Sequence, residues 1–200
     1  MSATARTTGW AATASGNNRL LGTVCMLGGA VAVMDSLRWG VLGLSDSDTL
    51  TGIVFIVWAI GSIAGLLGLI ALNVVGASPV TRALAMLPVL GFALLAATSV
   101  LQLAGLIGAD NPIFGVGWLL IYGGMVLVAI LTLAAKTWRD WRRFAPLLTV
   151  VAAPIGFGLG ALVGSLGLGV GLIYLFWVLL GHAVRTAQPV PVPQTEERIA

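Results

Sequence analysis

Long apolar runs with very few charges restrict what this chain can fold into. Hydrophobic residues make up 58% of the sequence and charged residues only 8%, whereas a soluble domain carries roughly 25% charged residues. A helix needs about 20 mostly apolar residues to cross the hydrocarbon core of a bilayer, and several runs reach that length. We therefore predict an all-α, polytopic integral membrane protein.

The apolar runs divide into six predicted transmembrane helices. The last stretch, 144–184, spans about 41 residues, which is twice the length that crosses a roughly 30 Å core. Gly164 and the three residues after it form the best turn between two helices there. The predicted spans are about 20–44, 51–75, 83–107, 113–135, 145–163 and 167–184.

Two polar tails flank the predicted transmembrane domain, which covers 20–185. Residues 1–19 are small and polar without an apolar period, so we predict a disordered cytoplasmic tail. Residues 186–200 alternate Pro and Val before an acidic end, which favours an extended polyproline-like chain on the cytoplasmic side.

A basic and aromatic segment at 136–143 indicates the orientation. It holds four of the ten Lys and Arg residues, and short loops rich in these residues stay on the cytoplasmic side. Six spans with both termini cytoplasmic place nearly every other basic residue there too, while Asp46, Asp48 and Asp110 face outward. The segment is predicted to anchor the protein at the lipid interface, on anionic lipid, through Lys136, Trp138, Arg139, Trp141, Arg142 and Arg143.

An alternative interpretation treats 19–32 as a signal peptide. Arg19 precedes an apolar core, and Ala30 and Ala32 match a small-x-small cleavage pattern. The long polar leader and the five apolar spans that follow favour a first transmembrane helix instead. The preponderance of Arg over Lys, with abundant Gly and Ala, is typical of a GC-rich bacterial genome, so the predicted location is a bacterial inner membrane.

Asp35 and Arg38 place charges inside the first predicted span. Residues three apart share one helix face, and from Leu20 they lie about 22 and 27 Å along the axis, in the outer third of the core. An interfacial ion pair beside Trp39 is one interpretation. The other is a charged vestibule that opens outward, because intramembrane charge indicates function by default.

Small residues recur every fourth position in two spans and predict close helix packing. Gly61 and Gly65 lie in the second span, and Gly156, Gly160 and Gly164 in the fifth. The contacts are predicted within the monomer, with subunit contacts as the alternative. Pro154 is expected to kink the fifth span.

The sequence offers no grouping of residues that would support catalysis or a bound cofactor. Cys25 and His182 are the only residues of their types, which excludes an internal disulfide and a bis-histidine haem. No nucleophile elbow, phosphate loop or metal-ligand pair is present. We predict no enzyme activity, metal or cofactor; His182 as a single haem or pigment ligand is the alternative.

The sequence leaves two candidate functions. The first is a non-catalytic accessory subunit or scaffold, with a membrane protein partner or a second copy, because polar residues within the spans are few. The second is a small transporter or channel with Asp35 and Arg38 in its vestibule. The net charge of +3 is placed where topology requires it, so nucleic acid is not a predicted partner.

Overall fold

Six α-helices build the part of the chain that the computed structural model describes, residues 4–43, 48–108, 110–138 and 140–187. Six helices are long and apolar enough to cross a membrane, and these ranges contain no strand. The predicted all-α, six-span fold is confirmed. The helices are α1 Thr4–Gly40, α2 Asp48–Ala71, α3 Pro79–Leu103, α4 Pro112–Ala135, α5 Ala145–Val163 and α6 Leu166–Thr186, with a 3₁₀ turn at Trp141–Phe144 before α5.

The helices form a ring in chain order. Each one packs against the next, and α6 returns to α1, where the contact is the most extensive in the molecule. The contact between α4 and α5 is the least extensive between chain neighbours in this ring. The seam between α4 and α5 is therefore the least tightly closed side of the bundle.

Local turn chemistry moves the α2 and α3 boundaries from the predicted 75 and 83 to Ala71 and Pro79. Asn73 has a left-handed φ of 54°, a conformation that ends helices. The Ser78 hydroxyl accepts a hydrogen bond from the Thr81 amide and Pro79 starts the helix. Arg82 stabilises the turn by donating a hydrogen bond to Asn73 Oδ1 at 2.7 Å.

The first helix differs from the sequence prediction at both ends. It begins at Thr4 rather than after a disordered tail, and it ends at Gly40 rather than near Leu44. Extending an existing helix avoids the cost of nucleation, and the predicted tail contains several alanines that favour helix. At the other end Gly43 adopts a φ of 62°. Residues 188–200, most of the predicted C-terminal tail, lie outside the described ranges.

The predicted small-residue contacts lie inside the monomer for four of the five glycines. Gly61 of α2 meets Gly28 of α1 so closely that a Cβ on Gly28 would lie 2.9 Å from the Gly61 Cα. Gly65 faces Cys25 of α1, while Gly156 and Gly160 pack against α6. The helix surfaces opposite them are also glycine-rich, which explains why the backbones approach so closely.

Gly164 is not part of this packing. No atom lies within 4 Å of where its Cβ would be, and its φ of 69° caps the end of α5. Its role is the turn into α6, which the sequence also predicted. The next residue, Ser165, donates its hydroxyl to the Gly40 carbonyl at 2.8 Å and so ties this turn to the end of α1.

Candidate functional site

An aromatic cluster fills the interior of the helix ring around Trp58. The Trp58 side chain of α2 is only 1% exposed. Most of its ring contacts are edge-on, the geometry that the aromatic quadrupole favours. Its five ring neighbours, by centroid distance, are Tyr174 at 4.9 Å, Phe92 at 5.1 Å, Trp118 at 5.8 Å, Phe55 at 6.0 Å and Trp177 at 6.1 Å.

Helical spacing brings these rings together from four helices. Trp118 and Tyr122 are one turn apart on α4 and stack at 5.5 Å with an interplanar angle of 20°. Tyr174 and Trp177 share one face of α6 in the same way. Phe92 reaches in from α3 and contacts Trp177 at 5.0 Å. The rings close the middle of the bundle.

A small cavity lies beside this cluster, next to the α4–α5 seam. Its volume is about 10 Å³, close to the minimum that admits one water molecule. Side chains of α2, α4, α5 and α6 form its walls. The lining residues are Trp58, Trp118, Ile121, Tyr122, Met125, Thr149, Ile173 and Trp177.

The polar side chains that line the cavity differ in their hydrogen bonding. The Thr149 hydroxyl donates to the Pro146 carbonyl at 2.7 Å, which leaves its oxygen free to accept. The indole Nε1 of Trp58 is buried and finds no acceptor among the described residues. A buried indole N–H usually has a partner; Trp58 is an exception, and its side chain also lines this cavity.

The other buried polar groups divide in the same way: the Ser62 and Thr132 hydroxyls have no hydrogen-bond partner among the described residues, whereas others bond to their own helix or to a neighbour. Thr98 and Ser99 both donate to the Leu95 carbonyl at 2.9 Å. Cys25 donates its thiol to the Trp177 carbonyl at 3.4 Å, which joins α1 to α6. In the parts of the chain that are described, no group of three or more His, Cys, Asp or Glu residues could hold a metal ion.

The predicted intramembrane ion pair is present in α1. Arg38 Nε donates to Asp35 Oδ1 at 3.0 Å, with the Asp35 side chain 9% exposed and that of Arg38 24%. Both residues lie within the apolar span 17–40. Asp35 is two turns beyond Gly28 on the same helix face, the face that packs on α2. This spacing places Asp35 on the side of α1 that packs against α2.

The residues of the predicted interface anchor differ in how far they are buried. Trp138 is 7% exposed and packs with the hydrophobic core, so little of its ring is available to lipid, and its anchoring role stays a prediction. Lys136 ends α4 with a left-handed φ of 53°, and this sharp turn directs the chain back over the bundle. Trp138 follows two residues later and covers the core there.

The remaining anchor residues surround the start of α5. Trp141 is exposed and stacks on His182 of α6, with centroids 6.2 Å apart. The Arg143 guanidinium lies 4.5 Å from the Phe144 ring, and Arg142 is 3.6 Å from Asp140. Arg139 lies outside the described residues. His182 therefore has an aromatic neighbour at this end of the bundle, where Arg185 follows one turn later.

Sequence reasoning missed the aromatic cluster. One signal was available: Trp58, Trp118 and Trp177 occur well inside apolar spans, whereas tryptophan in membrane proteins concentrates at the two interfaces. Ring pairs three or four residues apart, such as Trp118 and Tyr122, add to that signal. The identity of their partners on other helices depends on the ring order and is not readable from spacing.

Comparison with known proteins identifies no relative: no family model, curated protein or solved structure matches this chain.

Proposed function

We propose that this multi-pass membrane protein acts without catalysis, as an accessory subunit or scaffold of a larger membrane assembly. The observation that carries the proposal is the aromatic closure of the ring interior around Trp58. The cavity beside it holds about 10 Å³, close to the volume that one water molecule needs. A bundle whose aromatic rings pack together inside and whose outer faces are apolar is suited to packing against other membrane proteins.

The proposed location is a bacterial inner membrane with both ends of the chain in the cytoplasm. An even number of spans puts the start of α1 and the end of α6 on the same side. The basic residues Arg19, Arg82, Lys136 and Arg185 then lie at that side, as the positive-inside rule favours. Anionic lipid is the proposed partner of the 136–143 segment, through Trp141, Arg142 and Arg143.

The experiment that tests the accessory role is native mass spectrometry of the protein in lipid particles cut directly from its own membrane. We expect a second membrane protein, or a second copy, at fixed stoichiometry. Leucine at an outward glycine with open space, Gly115, Gly123 or Gly158, should weaken the complex at one of these positions while the bundle still folds. A monomer without any partner would contradict the proposal.

A small transporter or channel is the second candidate, and the Asp35–Arg38 pair favours it. If α1 carries ions past this pair, Asp35→Asn should abolish proton flux into liposomes that contain the protein and a pH-sensitive dye. Asp110→Asn is the matched control, because Asp110 is a carboxylate outside the apolar spans. Equal flux in Asp35→Asn and the unmodified protein would remove this candidate.

A further inference from the structure

The cavity beside Trp58 has the features of a site for one hydrogen-bond acceptor. Trp58 Nε1–H is a donor only, it is buried, and none of the described residues accepts from it. Unsatisfied polar groups are especially unfavourable inside a bilayer, where no bulk water can satisfy them. The cavity that Trp58 lines, about 10 Å³, is close to the smallest that holds one water molecule.

Tyr122 lies where this cavity meets the α4–α5 seam. Tyr122 of α4 is half-buried and packs against the small cluster formed by Ala152, Ala153 and Ile173. Alanine side chains leave space that the Tyr122 ring fills, and few other contacts hold α4 to α5.

We propose that an oxygen atom occupies this cavity and accepts a hydrogen bond from Trp58 Nε1. Two sources supply the same chemistry: a buried water molecule, or the carbonyl oxygen of a lipid-soluble ring compound that enters past Tyr122 and whose ring stays in the α4–α5 seam, outside the cavity. Thr149 and Tyr122 line the same cavity, and in this proposal their hydroxyls supply the further polar contacts that a bound water requires. The proposal depends on the bundle interior alone and is independent of the accessory role.

Nuclear magnetic resonance of the full chain in lipid nanodiscs tests the site. The tryptophan indoles are labelled with ¹⁵N, and the Trp58 signal is assigned by its loss in Trp58→Phe. A cross-peak between the Trp58 indole proton and water identifies a bound water as the acceptor. A shift that saturates with a decyl-substituted benzoquinone, and is absent with decylbenzene, identifies a carbonyl ligand. Contact with neither water nor the quinone would overturn the proposal.

Substitutions separate a specific site from partition into lipid. Trp58→Phe keeps a ring but removes the donor, so quinone affinity should fall about fivefold, which is a typical loss for one hydrogen bond. Tyr122→Ala should speed quinone entry severalfold, because it removes the ring that closes the seam. Leu119→Ala on the exposed face of α4 should change neither value. If quinone binding is seen but is equal in all four proteins, the carbonyl source is excluded.

Discussion

At the scale of single residues, burial separates tryptophans that look alike in the sequence. Trp138 and Trp141 flank the same basic segment, yet Trp138 is buried and Trp141 exposed. The left-handed turn at Lys136 decides this difference, because it bends the chain back so that Trp138 covers the core. Trp58 shows a similar limit: its position within an apolar run is visible, but its five ring neighbours follow only from the fold.

The central position of Trp58 predicts a large effect on stability when the ring is removed. Trp58→Ala should lower the free energy of unfolding by about 3 kcal/mol, at the low end for such truncations, because lipid is as apolar as the core and mainly packing is lost. Equilibrium unfolding in mixed micelles of a mild detergent and dodecyl sulfate measures this change in the free energy of unfolding. Leu119→Ala, at a side chain 73% exposed, should cost less than about 0.5 kcal/mol. Equal losses would mean that the cluster does not stabilise the bundle.

At the scale of helices, most of the fold was predictable because apolar run length is a strong signal. The predicted bounds of α5 agree with the structure, and those of α4 and α6 agree closely. The errors fall where turn residues act locally, as at Asn73 with its left-handed φ. The pairing of Gly61 with Gly28, and of Gly156 with α6, could not be predicted from the sequence, since glycines repeated along one helix face do not identify the helix that they contact.

Two glycines of α5 give a matched test of this packing. Gly156 faces α6, and a side chain there would collide with the Gly169 carbonyl oxygen, whereas at Gly158 no atom lies within 4 Å of where a Cβ would be. Gly156→Leu should therefore abolish the folded bundle or lower its melting temperature by more than about 10 °C, equivalent to about 3 kcal/mol or more. Gly158→Leu should leave it within about 2 °C. Thermal unfolding in detergent measures both, and an equally stable Gly156→Leu protein would refute the α5–α6 contact.

At the scale of the whole molecule, the ring order explains why charge and aromatic residues occupy separate places. Helices α2, α4 and α6 run in one direction through the ring and α1, α3 and α5 in the other. Arg19, Arg82, Lys136 and Arg185 consequently share one end, while Asp35 and Asp110 lie toward the opposite end. The rings of Trp58 and its neighbours fill the space between the two ends. The candidate aromatic site therefore lies at a depth in the membrane that charged residues avoid.

This separation predicts the orientation of the protein in the membrane. A phosphatase reporter, active only outside the cytoplasm, should be inactive when it follows Arg143 and active when inserted at Asp110, because basic loops are retained in the cytoplasm. Replacing Lys136, Arg142 and Arg143 together with Gln should raise the activity of the first fusion by weakening that retention. Replacing Arg38 with Gln is the control: Arg38 pairs with Asp35 at 3.0 Å near the opposite end, so the reporter pattern should not change. Activity after Arg143 with none at Asp110 would reverse the proposed topology and place the Trp141–His182 stack on the outer surface.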